Sequence, residues 1–266
     1  MNKLSIVQAC ASIVAVCVGS APLAVAAPGA NAPDAKQVKV WQLYQTTGQF
    51  GPMTMLVGKS AIKMSVDKLG LTWTAHAPGW GSAFYSDENK CIIKRDYDTW
   101  KNKLFDMPGS KSRNKGRQPD KLDLRDLHKT EKILGFKCQK HAIYKSVDGR
   151  PATHAGNVWI THDIACPPQM REVLLNMVKI DVKDGMLIKA EGQRPTAPGS
   201  TVGATARDKE FKPMFDTVKA VSNTVPSSTF DAPLGYKTVS NELELMMGPD
   251  SGVGGMDDMQ FIKKSR

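Results

Sequence analysis

The chain has none of the short motifs that mark the commoner enzyme chemistries. There is no G-x-S-x-G, since Gly81-Ser82 and Gly199-Ser200 lack its flanking pattern. No H-E-x-x-H, P-loop or dinucleotide fingerprint occurs, so metalloprotease, nucleotide and dinucleotide functions have no motif behind them. Nor is there a strand–helix–strand rhythm, which argues against a parallel sheet, and no internal repeat stands out. Long apolar runs are absent too. The N-terminal one is interrupted by Gln8, Ser12 and Gly19-Ser20 and is too short to span a bilayer comfortably. Cysteine is scarce: of five, Cys10 and Cys17 fall within the first 26 residues.

Those 26 residues read as an export signal. Lys3 supplies the positive start, Leu4–Val7 and Ile13–Val18 a broken apolar core, and Ala24-Val25-Ala26 the small-x-small cleavage pattern. Neither leader cysteine has the context of a lipid-attachment site. Cleavage near Ala26 delivers the mature chain to a periplasm or beyond. Formal charge is +10, and loss of Lys3 leaves +9, an excess that favours anionic partners such as a phospholipid surface. Export makes nucleic acid the least suitable of these. Cys91, Cys138 and Cys166 then face an oxidising compartment, where one disulfide and one spare thiol are expected.

Four segments follow from composition: the leader (1–26), a Pro/Gly-rich linker (27–36), one folded domain (37–245), and a glycine-rich tail expected to be disordered (246–266). The domain opens with strand-like patterns. Ile62, Met64 and Val66 alternate with Lys63 and Ser65, and Leu69, Leu71, Trp73 and Ala75 alternate with Thr72, Thr74 and His76. The stretch 83–94 reads as a tight hairpin turning at Asp87-Glu88-Asn89, and 96–104 as a short helix. Residues 107–127 look like a long basic loop with a helical turn near Leu122–Leu127. That loop is either a solvated connection or an arm for anionic headgroups, with Lys111, Arg113, Lys115 and Arg117 as the contacts. One helix is well marked after Pro167-Pro168, with Met170, Val173, Leu174, Met177 and Val178 forming its apolar stripe. The fold class expected is mainly β (α+β): a single strongly curved antiparallel sheet with one or more helices against its concave face.

The stretch 134–180 holds Cys138, His141, His162 and Cys166, whose C-x2-H and H-x3-C spacings invite a metal reading. Strand parity tests it. A hairpin symmetric about residue 152 sets Cys138 opposite Cys166, and places Cys138, His162 and Cys166 on one face. His141 then falls on the other face with Trp159 and Asp163. Four ligands cannot converge in that arrangement, whereas an opposed cysteine pair suits a disulfide worth about 3 kcal/mol on the chain-entropy model. His141 beside Asp163 reads as a cross-strand pair or as a base with its orienter, although no nucleophile accompanies it. The Met and Asp residues of the tail lack regular ligand spacing, and Cys91 reads as a small core residue.

The exported leader, the GFKCQKH strand, the VWITHDI return strand and the closing VPSSTFDAPLGYK together resemble uncharacterised periplasmic proteins related to the lipoprotein-carrier (LolA/LolB-like) superfamily. The resemblance implies an unclosed half-barrel with helices plugging its concave side, where the carriers of that superfamily hold acyl chains. It assigns no binding residue. From the residues themselves, Trp41, Met64, Trp73, Trp159, Met170, Leu174 and Met177 are the candidates to line an apolar site. The helix would then be a lid in which methionines repack around an acyl chain. The expected function is a soluble, non-enzymatic, cofactor-free carrier of a lipid or acyl ligand. An envelope interaction or sensor protein with a filled core is the first alternative, and a metal-binding or hydrolytic enzyme the second. Neither ligand nor oligomeric state can be read from the residues.

Overall fold

The structure, a computed structural model, describes residues 36–48, 50–102, 104, 121–146, 151–192 and 211–248. The leader, most of the linker, the basic loop with Lys111, Arg113, Lys115 and Arg117, and the tail beyond Gly248 lie outside the described residues. Residues 246 and 247 end the helix Glu242–Met247, which is capped by the Asn241 side chain on Glu244 N–H.

The fold is mainly β. Six strands run in order through β1 (Gln37–Thr47), β2 (Gly51–Gly58), β3 (Ala61–Val66), β4 (Leu71–His76), β5 (Ser82–Ser86) and β6 (Cys91–Arg95). A single helical turn, α1 (Tyr97–Trp100), follows. The second series is β7 (Lys121–Ile133), β8 (Phe136–Ser146), β9 (Thr153–Thr161), α2 (Met170–Val178), β10 (Met186–Gly192) and β11 (Lys212–Pro226). The two-residue β12 (Lys237–Thr238) and α3 (Glu242–Met247) complete it. Among the described residues one open twelve-stranded sheet results, ordered β12-β6-β5-β4-β3-β2-β1-β11-β10-β9-β8-β7. Every pairing is antiparallel except β12 on β6. Two meanders thus meet where β1 pairs with β11, and β6 and β7, consecutive in the chain, lie near opposite ends of the sheet.

Alternation in the sequence becomes a stripe of core across the strands. Leu43 pairs with Met55, Met55 with Met64, Met64 with Trp73, Trp73 with Phe84 and Phe84 with Ile93. All six are buried in one cluster, and the stripe of α2 formed by Met170, Val173, Leu174 and Met177 joins it. Trp100 of α1 meets Trp73 edge-on at 5.1 Å, and its indole donates to the Trp80 carbonyl at 2.6 Å. Asn176 fastens α2 to the α1 segment, donating to the Lys101 carbonyl at 3.0 Å. At the far side Arg95 pairs with the buried Glu242 of α3 at 2.7 Å.

Three expectations need correction. The segment Leu122–Leu127 is strand β7, not a helical turn: Leu122 and Leu124 alternate with Asp123 and Arg125, and Leu124 pairs with Ile143. The central hairpin is symmetric between residues 149 and 150, so Cys138 faces Thr161 and Ala142 faces Asn157. Consequently the Cys138–Cys166 disulfide does not form, and Cys91, Cys138 and Cys166 are all free. The physical reason lies at the end of β9. Asp163 turns back to accept the Lys137 amide at 2.7 Å, and Pro167-Pro168 cannot donate to a ladder, so Cys166 leaves the sheet. Burial pushes the thiols of Cys138 and Cys166 upward, away from the reactive thiolate form.

The β9–β10 contact is close enough to require glycine. A Cβ on Gly156 would stand 2.1 Å from the Glu191 carbonyl oxygen and 2.9 Å from Gly192 Cα, both backbone atoms. Gly156→Ala should therefore destabilise the protein by about 3 kcal/mol in denaturant unfolding. Gly79→Ala, whose Cβ would meet nothing within 4 Å, should leave the midpoint nearly unchanged.

Candidate functional site

A concavity with convergent polar groups lies at the β7–β8–β9 end of the sheet. Its position follows from the register. Thr47 pairs with Phe215, Phe215 with Ala190, Ala190 with Val158, Val158 with His141 and His141 with Asp126, so His141 shares the face that carries Phe215 and the core. Segment 180–184, which follows α2, runs over this face. Arg171 holds it there with a bidentate grip on Asp181 at 2.6 and 2.8 Å, and that guanidinium keeps the Asp181 carboxyl below the ordinary range.

Between the strands and this segment a cleft of about 460 Å³ opens. Leu122, Leu124, Ile160 and Ile180 supply its apolar lining, and Asp123, Gln139, His141, His162, Asp181, Lys183 and Asp184 its polar groups. Burial lowers the His141 pKa; Asp126, the facing residue on β7, opposes that shift, and nearby His162 adds to it. Asp126 is itself held low by the His128 amide, and it also accepts from Gln139 at 2.6 Å. His162 approaches Asp184 at 3.5 Å on the exposed rim. No serine, threonine or cysteine lines this cleft among the described residues. Its groups can hold a ligand by apolar contact and hydrogen bonds.

Asp163 does not partner His141. It is committed to the Lys137 amide, and His141 faces Asp126 and Val158 instead. Cys138 lies on the opposite side of β8 from His141, and Cys166 lies outside β9, so the four residues of the metal reading do not converge. Among the described residues no group of three or more His, Cys, Asp or Glu side chains could hold a metal ion.

The apolar candidates divide. Met64 and Trp73 are cross-strand neighbours, Trp41 stands beside Val57 on the same face, and Met170, Leu174 and Met177 pack into the same core. The recess beside Met64 and Trp73, lined also by Phe50, Leu69 and Phe84, is only about 10 Å³. Trp159 is apart from them. It pairs with Lys140 and Lys189 on the other face, its ring lies 4.5 and 4.7 Å from their ammonium groups, and its indole donates to Glu131 at 2.8 Å. Of the cleft, the sequence reading singles out only the two histidines. The alternation of Leu122 and Leu124 is the signal that could have revealed its β7 wall.

No family model matches the chain, and no curated protein matches it. Among solved structures it is similar to an uncharacterized conserved protein from Thermus thermophilus, at 9% identity and a TM-score of 0.29, over 75% of this chain and 89% of that one.

Acidification tests the burial of His141. A histidine whose folded pKa is lowered binds fewer protons than the unfolded chain does, so stability falls as pH drops below the ordinary value of 6.5 and levels off below the folded pKa. Denaturant midpoints measured from about pH 7.5 to about pH 5 should show a smaller loss in His141→Gln than in the natural chain.

Proposed function

We propose that the chain is an exported, periplasmic, non-enzymatic binding protein for a ligand with an apolar portion, a lipid or acyl compound, seated in the cleft beside His141. The observation that carries this reading is a lining of four aliphatic side chains under a polar rim, in a space within the roughly 300–1,000 Å³ typical of small-molecule sites. On this reading the sheet is a strongly curved half-barrel of the lipoprotein-carrier (LolA/LolB-like) kind, with α2 on its concave face. One contact supports the curvature. Trp41 of β1 and Phe136 of β8 meet edge-on at 5.0 Å, although their strands are four steps apart in the sheet, about 19 Å if it were flat. Lys111, Arg113, Lys115 and Arg117 would meet anionic headgroups of the donor or acceptor membrane.

A second reading rests on the recess at Met64 and Trp73. About 10 Å³ leaves no room for an acyl chain at Met64 and Trp73, which favours an envelope interaction protein with a filled core.

Native mass spectrometry of protein purified from its own envelope separates the two. Carriage predicts a bound species removable by organic solvent and lost in Leu124→Trp, which fills the cleft from its half-buried β7 wall. A natural chain that flies at the polypeptide mass alone supports the second reading and overturns the first.

A further inference from the structure

β11 has two strand neighbours for only its first part. β10 pairs with residues from Lys212 to Asp216, whereas β1 pairs along the strand from Phe215 to Pro226. A register shift between residues 217 and 219 marks the divergence. Beyond it, among the described residues, no strand pairs with the β10-side edge of Val218–Pro226, and most of these residues are exposed, Val218 at 58% and Val221 at 38%. Among the described residues the backbone there presents amides and carbonyls on one side with no ladder to receive them, the Thr224 amide turning instead to the Asn223 side chain at 2.8 Å.

The outer edges of the sheet are protected in the usual ways. β12 is two residues long, and β7 carries Asp123, Arg125, Asp126, Lys129, Glu131 and Lys132 together with a bulge. The open part of β11 has neither device. VKAVSNTVP is β-prone, with Lys219 as its only charge and proline only at its end.

We propose that this edge pairs with the same edge of a second copy of the chain, antiparallel about a twofold axis through Val221. In such a pair opposed residues must both turn their peptide groups inward or both outward, so the axis has to pass through a residue. At Val221 it sets Val221 against its copy, Val218 against Thr224 and Lys219 against Asn223. β-Branched side chains then meet each other, and no like charges are opposed. An axis at Lys219 would place two ammonium groups face to face. A strand with one charge has little by which to select a charged partner strand, whereas its own sequence complements it, as an isologous interface requires. The interface is distinct from the cleft and does not depend on the ligand reading.

Sedimentation of the purified protein tests this. The natural chain should pass from monomer to dimer with rising concentration, and Val221→Lys, which sets two cations on the axis, should remain monomeric with an unchanged circular dichroism spectrum. As a check independent of that variant's folding, Val221→Cys should form a covalent dimer on mild oxidation, whereas Lys212→Cys, at the end of the strand covered by β10, should not. A natural chain still monomeric at on the order of 100 µM overturns the proposal, as does a Val221→Lys chain that dimerises like the natural one. Either result leaves the edge to connection 193–210 or to the strand of another protein.

Discussion

The pairing of β1 with β11 is the constraint on which the rest of the sheet depends. Each meander is built from neighbours in sequence, and its hairpins close short loops at small entropic cost. The β1–β11 ladder instead joins residues 37–47 to residues 215–226, across most of the domain. Without it there would be two half-sheets, each with a bare apolar edge. With it, the Leu43–Ile93 stripe and the Phe215–His141 row lie on one face of a single sheet. The bulge in β11 is part of the same device, because it lets the strand follow β1 for its whole length while parting from β10 halfway.

Around that ladder the two halves differ in chemistry. The β1–β6 half is closed by aromatic packing: Trp73 against Trp100, and Trp100 against Tyr97 at 5.2 Å, with the Arg95–Glu242 pair tying α3 across the end. A pair this buried fixes geometry more than it adds stability. The β7–β10 half carries the polar cleft. His141 and Gln139 line it, and segment 180–184 is anchored by the buried Ile180 and Val182, with Arg171 gripping Asp181 at the surface. The cleft of about 460 Å³ lies in this polar half, whereas the recess beside Met64 and Trp73 in the other half is only about 10 Å³.

Much of the first half was legible because its period is clean. Ile62/Met64/Val66 and Leu71/Trp73/Ala75 alternate without interruption, the turn at Asp87–Lys90 is short, and the stripe of α2 is regular enough to name its buried residues. The second half misled where local signals compete. Basic residues and glycines before 121 hid the alternation of β7. A displaced turn in the central hairpin shifted the register by five residues, which put Trp159 on the wrong face and set two cysteines opposite each other that never meet. Register errors of this kind are invisible locally, since every residue of a strand remains a good strand residue after the slip.

What the sequence determined by itself, then, is what depends on neighbours along the chain: a β-rich antiparallel domain, one amphipathic helix, the faces of the early strands, and the absence of any legible catalytic motif. What the tertiary structure alone decided is what depends on partners far apart: the β1–β11 junction, the freedom of Cys138 and Cys166, and the meeting of His141 with Asp126, His162 and segment 180–184. The reason is physical. Periodicity is encoded in adjacent residues, but register and the path of a covering segment are set by which distant surfaces fit, and no single stretch contains that information.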